Sequence, residues 1–372
     1  MQAEPLEVYG MTTKLFDAIH DKDAEYWTKK DFKKLLSFHP DVVGAQSPRN
    51  YGKSYALMDY CKDIMDKGGV VCWGRYNKIE LGQSYNTWLD FNPLLVPPKK
   101  GTKDSSSAVK WLSDPSTGGQ IMFFPWSVSQ NLKGIDAPFE VMVCDEFIPE
   151  RYTKATRRDT EFADWSSVYK SLARSYGTLP VMLSNNIEWM NPFFLRWGIL
   201  PFPKGKVCVE DTQFKAEVDG EVYETNRRLV FENVAGTPAI IRRNLKQQAI
   251  DFTSNAQMEQ YFQNETKQEY TRIGRCPVKD VPLSSTQLRS EGDTLNYRYH
   301  EGTYYFERVK GDRTKWTFVS EIALVNVEEK RVRNPRYASD MEDLFNSGHC
   351  VFKDGPTLEA FYRFLRRCRT RV

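Results

Sequence analysis

Apolar residues in this chain fall into short runs bounded by polar loops. Val42-Val43-Gly44-Ala45, Val70-Val71-Cys72-Trp73, Ile121-Met122-Phe123-Phe124, Val141-Met142-Val143-Cys144 and Val181-Met182-Leu183 read as buried strands. Tyr55 to Lys67 lacks Gly and Pro and predicts a helix, which Gly68-Gly69 would stop. Residues up to about His39 predict an amphipathic helical lead-in, from Tyr26-Trp27 through Leu35-Leu36. Aromatics at that place pack either on an adenine ring or into the core. Lys215 to Val218 and Glu221 to Tyr223 alternate around Asp219-Gly220 and predict a β-hairpin. Arg242 to Gln268 is polar and reads as a mostly helical linker. From about Cys276 the pattern turns β-rich, with strands at Tyr297 to Tyr299, Thr303 to Val309, Trp316 to Val319 and Ile322 to Val327. A helix from Thr357 to Arg371 closes the chain.

These elements divide the sequence into residues 1–213, a hairpin and helical linker or lid over 214–275, and a smaller unit over 276–372. The expected class is α/β, with a mainly parallel sheet in the first part and an α+β C-terminal part.

The first buried strand leads into Ser47-Pro48-Arg49-Asn50-Tyr51-Gly52-Lys53-Ser54, which opens a helix. Strand, polar loop, then Gly-Lys-Ser is the layout of a phosphate-binding P-loop. Backbone N–H groups and a helix N-terminus offer positive potential to phosphates. Gly52 would let the backbone approach closely, Lys53 would reach the β/γ oxygens and the Ser54 hydroxyl would sit on Mg²⁺. Ser47 stands where the common motif has Gly, and Gly44 lies three residues too early to replace it.

The strand ending Cys144-Asp145-Glu146 places two acids at the carboxyl edge of a parallel sheet, beside that loop. Asp145 would hold Mg²⁺ through water, and Glu146 would orient and deprotonate an attacking water. The third strand ends in Ser184-Asn185-Asn186, polar groups placed to sense a γ-phosphate. Loop, acidic pair and polar strand end, in that order, imply a nucleotide hydrolase using ATP and Mg²⁺.

Composition adjusts this picture little. Net charge is +3 from 52 basic and 49 acidic residues, so any nucleic-acid surface must be local. Aromatics at 13% argue against disorder. Seven cysteines form no C-x-x-C pair and read as reduced thiols of a cytosolic protein. Four scattered histidines suggest no zinc site. No signal peptide is visible, and the run from Phe193 to Phe202 carries Arg196 and prolines that rule out a membrane span. Arg363, Arg366, Arg367, Arg369 and Arg371 make the last helix basic, as a solvated face or a polyanion-binding tail.

The order of motifs resembles the DNA-packaging motor ATPases of small tailed phages of the phi-twenty-nine type, relatives of the terminase large subunits. The residues that carry the resemblance are Arg49 at the third loop position, Trp73-Gly-Arg75-Tyr76-Asn-Lys-Ile-Glu80-Leu, and Ser129-Gln-Asn-Leu-Lys133-Gly134 before the acidic strand. Cys144-Asp145-Glu146-Phe147-Ile148, Leu183-Ser184-Asn185-Asn186 with Asn191-Pro192-Phe193-Phe194-Leu195, and Phe352-Lys-Asp complete the set.

The resemblance implies an additional-strand, RecA-like (ASCE) P-loop NTPase domain and a vestigial ribonuclease-H-like C-terminal domain that docks rather than cuts. It implies a homo-oligomeric ring, a pentamer on the family's pattern, that drives double-stranded DNA into a prohead. Portal or connector and a packaging RNA are the implied partners, in the host cell cytoplasm and on the prohead. Ser47 to Ser54, Tyr55, Arg75 and Asn185 would line the nucleotide. Arg49 would engage phosphate or hold Glu146, and Arg174 or Lys133 would act on the neighbouring subunit's nucleotide. Lys99, Lys100, Lys103, Lys154, Arg157 and Arg158 would track DNA phosphates or remain solvated. A helicase or DNA-loading ATPase, and a non-hydrolysing nucleotide-binding module, stay open as alternatives.

Overall fold

The computed structural model describes residues 7–17, 26–48, 50–76, 78–97, 109–127, 135, 137–148, 158–173, 177–185, 191–200, 202–218, 221–248, 276–278, 280–290, 293–312, 315–319, 331–332, 335–346 and 349–369. The chain forms two compact units, Met1–Ile187 with Lys204–Asp251, and Glu188–Pro203 with Phe252–Val372.

The first unit opens with β1 (Glu7–Asp17), α1 (Lys29–Leu36), β2 (Val42–Gln46), α2 (Lys53–Met65), β3 (Val70–Arg75) and α3 (Lys78–Phe91). It continues with β4 (Lys110–Ser113), β5 (Gln120–Pro125), β6 (Phe139–Asp145), α4 (Arg158–Ala173) and β7 (Leu179–Ser184). After α5 (Pro192–Trp197), which belongs to the second unit, come β8 (Lys206–Val218), β9 (Glu221–Asn233) and α6 (Pro238–Gln248).

One nine-stranded sheet runs β1-β8-β9-β2-β7-β6-β3-β5-β4. Every pairing from β9 through β5 is parallel, and β1, β8 and β4 join antiparallel. The central strands are buried on both faces, which explains why their sequences are continuous apolar runs rather than alternating ones. Val43, Ala45, Val71, Trp73, Val141, Val143, Val181 and Leu183 form one core with Leu57, Cys61 and Met65 of α2, Trp88 of α3 and Phe32 of α1. On the opposite face the indole of Trp165 in α4 donates to Cys144 Sγ at 3.3 Å. Gly44 is set by packing: a Cβ there would lie 2.2 Å from the Phe231 ring and 2.8 Å from Met182 O.

Three sequence expectations change. Residues 7–17 are a strand, not part of a helical lead-in, because they pair with β8 from Glu7↔Lys215 to Asp17↔Lys206. The hairpin is far longer than its turn signal, pairing from Lys206↔Asn233 to Val218↔Glu221. A boundary at residue 213 therefore falls inside β8, and β9 continues the main sheet by pairing with β2. Of the expected linker, Pro238–Gln248 is helical, while residues 249–268 lie outside the described residues, as does Ile322 to Val327.

The second unit carries β10 (Thr286–Ser290), β11 (Asp293–His300), β12 (Thr303–Arg308), β13 (Trp316–Val319), β14 (Arg331–Val332), α7 (Pro335–Asn346), β15 (Cys350–Phe352) and α8 (Gly355–Arg369). Its sheet runs β14-β13-β10-β11-β12-β15, with β10, β11 and β12 an antiparallel meander. β13 pairs with β10, β14 with β13 and β15 with β12, all parallel. Phe306, Phe345, Phe352 and Phe361 form the aromatic centre that seats the closing helices. Arg363 of the basic helix α8 pairs with Asp293 at 2.9 Å. Among the described residues no helix is long and apolar enough to cross a membrane.

Candidate functional site

Strand order builds the site. β7 lies between β2 and β6, and β3 lies on the far side of β6, so four carboxyl ends sit side by side. The pairings Gln46↔Ser184, Asp145↔Leu183 and Gly74↔Cys144 fix which residues leave those ends together. The loop before α2, the acid pair, Asn185 and Arg75 therefore meet although they come from four stretches of sequence.

The loop after β2 is tightly held. Ser47 N–H donates to Ser184 O, and Trp27 N–H donates to Tyr51 O. Asn50 and Gly52 adopt left-handed conformations, φ 66° and 91°. A backbone that turns this way forms anion-binding concavities at a helix start. Gly52 is required by more than close approach to a ligand, because a Cβ there would lie 2.7 Å from Trp27 O. The aromatic lead-in thus supports the loop. Trp27 is core, with its indole donating to Glu232 at 2.8 Å, while the Arg243 guanidinium lies 4.6 Å from the Tyr26 ring centre.

Lys53 is buried, and its ammonium faces four oxygens: Ser47 Oγ at 2.5 Å, Ser47 O and Asn185 Oδ1 at 3.2 Å, and Pro48 O at 3.3 Å. Burial pushes its pKa down to about 7, against the pull of Asp145 and Glu146. Ser54 Oγ donates to Asp145 Oδ1 at 3.2 Å. Asn185 Nδ2 donates to Glu146 Oε1 at 2.8 Å, so one amide joins Lys53 to Glu146.

Arg75 spans both acids, with Nη2 2.7 Å from Asp145 Oδ2 and Nη1 2.5 Å from Glu146 Oε2. Its Nε donates to Ser84 Oγ at 3.1 Å, which sets the plane of the fork. Burial opposes the charge on Arg75, yet Asp145 and Glu146 outweigh it and raise its pKa. Burial raises the Asp145 pKa, and Arg75 is the largest opposing influence. Glu146 sits at φ 59°, a left-handed backbone on a residue that rarely adopts one, at a cost of about 1–3 kcal/mol.

Ser47, Lys53, Ser54, Arg75, Asp145, Glu146 and Asn185 are thus brought together. Arg75 meets the acids, a role that the loop-and-acid motifs alone do not give it. Pro48 contributes its carbonyl oxygen. Tyr51 is buried, Asn50 is exposed, and Tyr55 is exposed with its ring 6.3 Å from Phe91. Arg49, Lys133 and Arg174 lie outside the described residues, as do Lys99, Lys100, Lys103, Lys154 and Arg157. Sequence reading missed Ser84, for which no motif exists, and left Tyr26 and Trp27 open between core and ligand.

No protein-family model and no curated protein matches the chain. Among solved structures it is similar to the bacteriophage Phi-29 viral genome packaging motor assembly, at 18% identity and TM-score 0.49 over 93% of this chain and 100% of that one. It is similar to the Phi-28 gp11 DNA packaging motor at 13% identity and TM-score 0.49, over 94% and 99%. A large terminase from a thermophilic bacteriophage, in complex with ADP, matches at 10% identity and TM-score 0.35, over 90% and 94%. No residue equivalence follows at such scores.

Proposed function

We propose that this chain is an ATP hydrolase that drives double-stranded viral DNA into a prohead. The observation that carries the hydrolase reading is the link between loop and acid pair, Ser54 Oγ to Asp145 and Lys53 through Asn185 to Glu146. A strand, β7, between the loop strand and the acidic strand supports the additional-strand P-loop class. The packaging part rests on the sequence resemblance.

The donor set suits ATP and Mg²⁺. A hydroxyl and a carboxylate are hard oxygen ligands, and a lysine at a helix start complements phosphate. Ser54 and Asp145 would hold Mg²⁺, which supplies charge neutralisation to the β- and γ-phosphate oxygens. Lys53 would move from loop oxygens to phosphate oxygens. Glu146 would orient the water that attacks the γ-phosphorus and take its proton, while the bond to the β-phosphate oxygen breaks. Asn185 would pass the change at the γ-phosphate to both residues.

The ring, pentameric by resemblance, would act on the portal of a prohead in the host cytoplasm, with a packaging RNA as a further partner. Arg174 or Lys133 would stabilise phosphoryl charge in trans, and Arg49 would engage phosphate or Glu146. The meander with parallel flanking strands supports the ribonuclease-H-like reading of the second unit, and we assign it docking rather than cleavage.

Steady-state ATP hydrolysis by wild type and Lys53→Ala, with and without double-stranded DNA, tests the reading. Lys53-dependent turnover that responds to DNA supports it. Turnover that survives Lys53→Ala overturns the assigned site. A helicase or DNA-loading ATPase would hydrolyse equally well but would fail to fill proheads.

A further inference from the structure

We propose that Ser47 is a positioning residue that holds Lys53 in a resting place and sets how readily a phosphate takes it over. The inference rests on the nucleotide-binding reading of the same site and adds a regulatory step to it.

An ammonium has three N–H donors. Lys53 faces four oxygens, so its donors are committed without any phosphate. The shortest of these contacts is to the Ser47 hydroxyl, at 2.5 Å. That hydroxyl donates its own proton to Pro48 O at 2.9 Å, which leaves a lone pair for the ammonium. Ser47 is fully buried, so water does not compete for the contact. Charge-assisted bonds of this kind are about twice as strong as neutral ones.

The backbone does not dictate the residue here. Among the described residues of the loop the left-handed ones are Asn50 and Gly52, and Ser47 is not one of them. A glycine at position 47 would keep both loop carbonyls and Asn185 as acceptors and would remove only the hydroxyl. The side chain at this position therefore sets how tightly Lys53 is held before a ligand arrives. A β- or γ-phosphate oxygen must displace the Ser47 hydroxyl or share the ammonium with it.

The test is nucleotide affinity of Ser47→Ala, Ser47→Gly and Ser47→Thr by calorimetry with Mg·ATP and Mg·ADP, alongside thermal melting. Loss of the hydroxyl should tighten ATP and ADP by roughly threefold to tenfold at pH 6, the net value of one exchanged hydrogen bond. Ser47→Thr keeps the hydroxyl and should restore wild-type affinity. A purely structural role would lower the melt and weaken both nucleotides rather than tighten them. Ser47→Ala and Ser47→Gly with wild-type melting and equal or weaker affinity overturn the inference and leave the nucleotide reading standing. No ATP binding by the unmutated protein overturns that reading and this inference with it.

Discussion

Part-buried Arg75 and buried Asp145 form an ion pair, Nη2 to Oδ2 2.7 Å, at adjoining strand ends. Removing one partner of such a pair leaves the other charge buried, at a typical cost of about 3–5 kcal/mol. Arg75→Ala should be destabilised by that order in urea denaturation. The loss should depend on pH. The folded pKa of Asp145 is raised, so the native state binds more protons than the unfolded one between the unfolded value and the folded value. Its contribution to stability thus falls as pH rises through that window. Without Arg75 the folded pKa rises further. The deficit of Arg75→Ala should therefore be larger at pH 7.5 than at pH 5, and an equal deficit at both would discount the pairing.

Glu146 takes hydrogen bonds from Asn185 and Arg75, which fix the position of its carboxylate. Glu146→Gln keeps the shape and loses the base. Mg·ATP should still bind within a few-fold of wild type, while turnover drops by about 10²–10⁴-fold. Single-turnover hydrolysis measured beside nucleotide affinity separates the two effects. Unchanged hydrolysis would remove Glu146 from the mechanism.

The grouping of the candidate site was largely legible because its residues cluster at strand ends that are themselves continuous apolar runs. Lys53, Ser54, Asp145 and Glu146 could be named from local pattern alone. The partner of Arg75 could not, because it depends on the register Gly74↔Cys144 between strands some seventy residues apart. β1 escaped for the same reason: Glu7 to Asp17 is a strand only in the presence of β8. The hairpin was visible at its turn, yet its length is set by β1 on one side and β2 on the other. Local pattern marks an element, and tertiary pairing decides its extent.

Gly44 offers a test of the sheet that is independent of nucleotide chemistry. A Cβ at this position meets both the Phe231 ring and the Met182 carbonyl, and the second is backbone that cannot swing away. Gly44→Ala should cost about 1–3 kcal/mol as an overpacked core. Adding Phe231→Leu should recover part of the loss and not all of it, since Met182 O stays in place. Urea midpoints of the single and double variants decide the matter, and a fully neutral Gly44→Ala would refute the tight β2–β9 packing.

Lys53 links nucleotide binding to pH. Its pKa of about 7 in the ligand-free site lies below the ordinary lysine value because burial disfavours the ammonium. Between those values the unfolded chain binds the proton that the folded one has shed, so this group's effect on stability becomes more favourable as pH rises through the window. Phosphate binding works the other way. Anionic oxygens favour the charged form, so binding above pH 7 must draw a proton from solution. Calorimetry of Mg·ATP at pH 8 in two buffers of different ionisation enthalpy should show uptake of about one proton. Affinity should weaken from pH 7 to pH 9 by up to about tenfold per unit, as the proton becomes scarcer. Uptake near zero at pH 8 would mean that Lys53 is already charged in the free protein, and the resting place formed by the loop oxygens would then hold a full ammonium throughout.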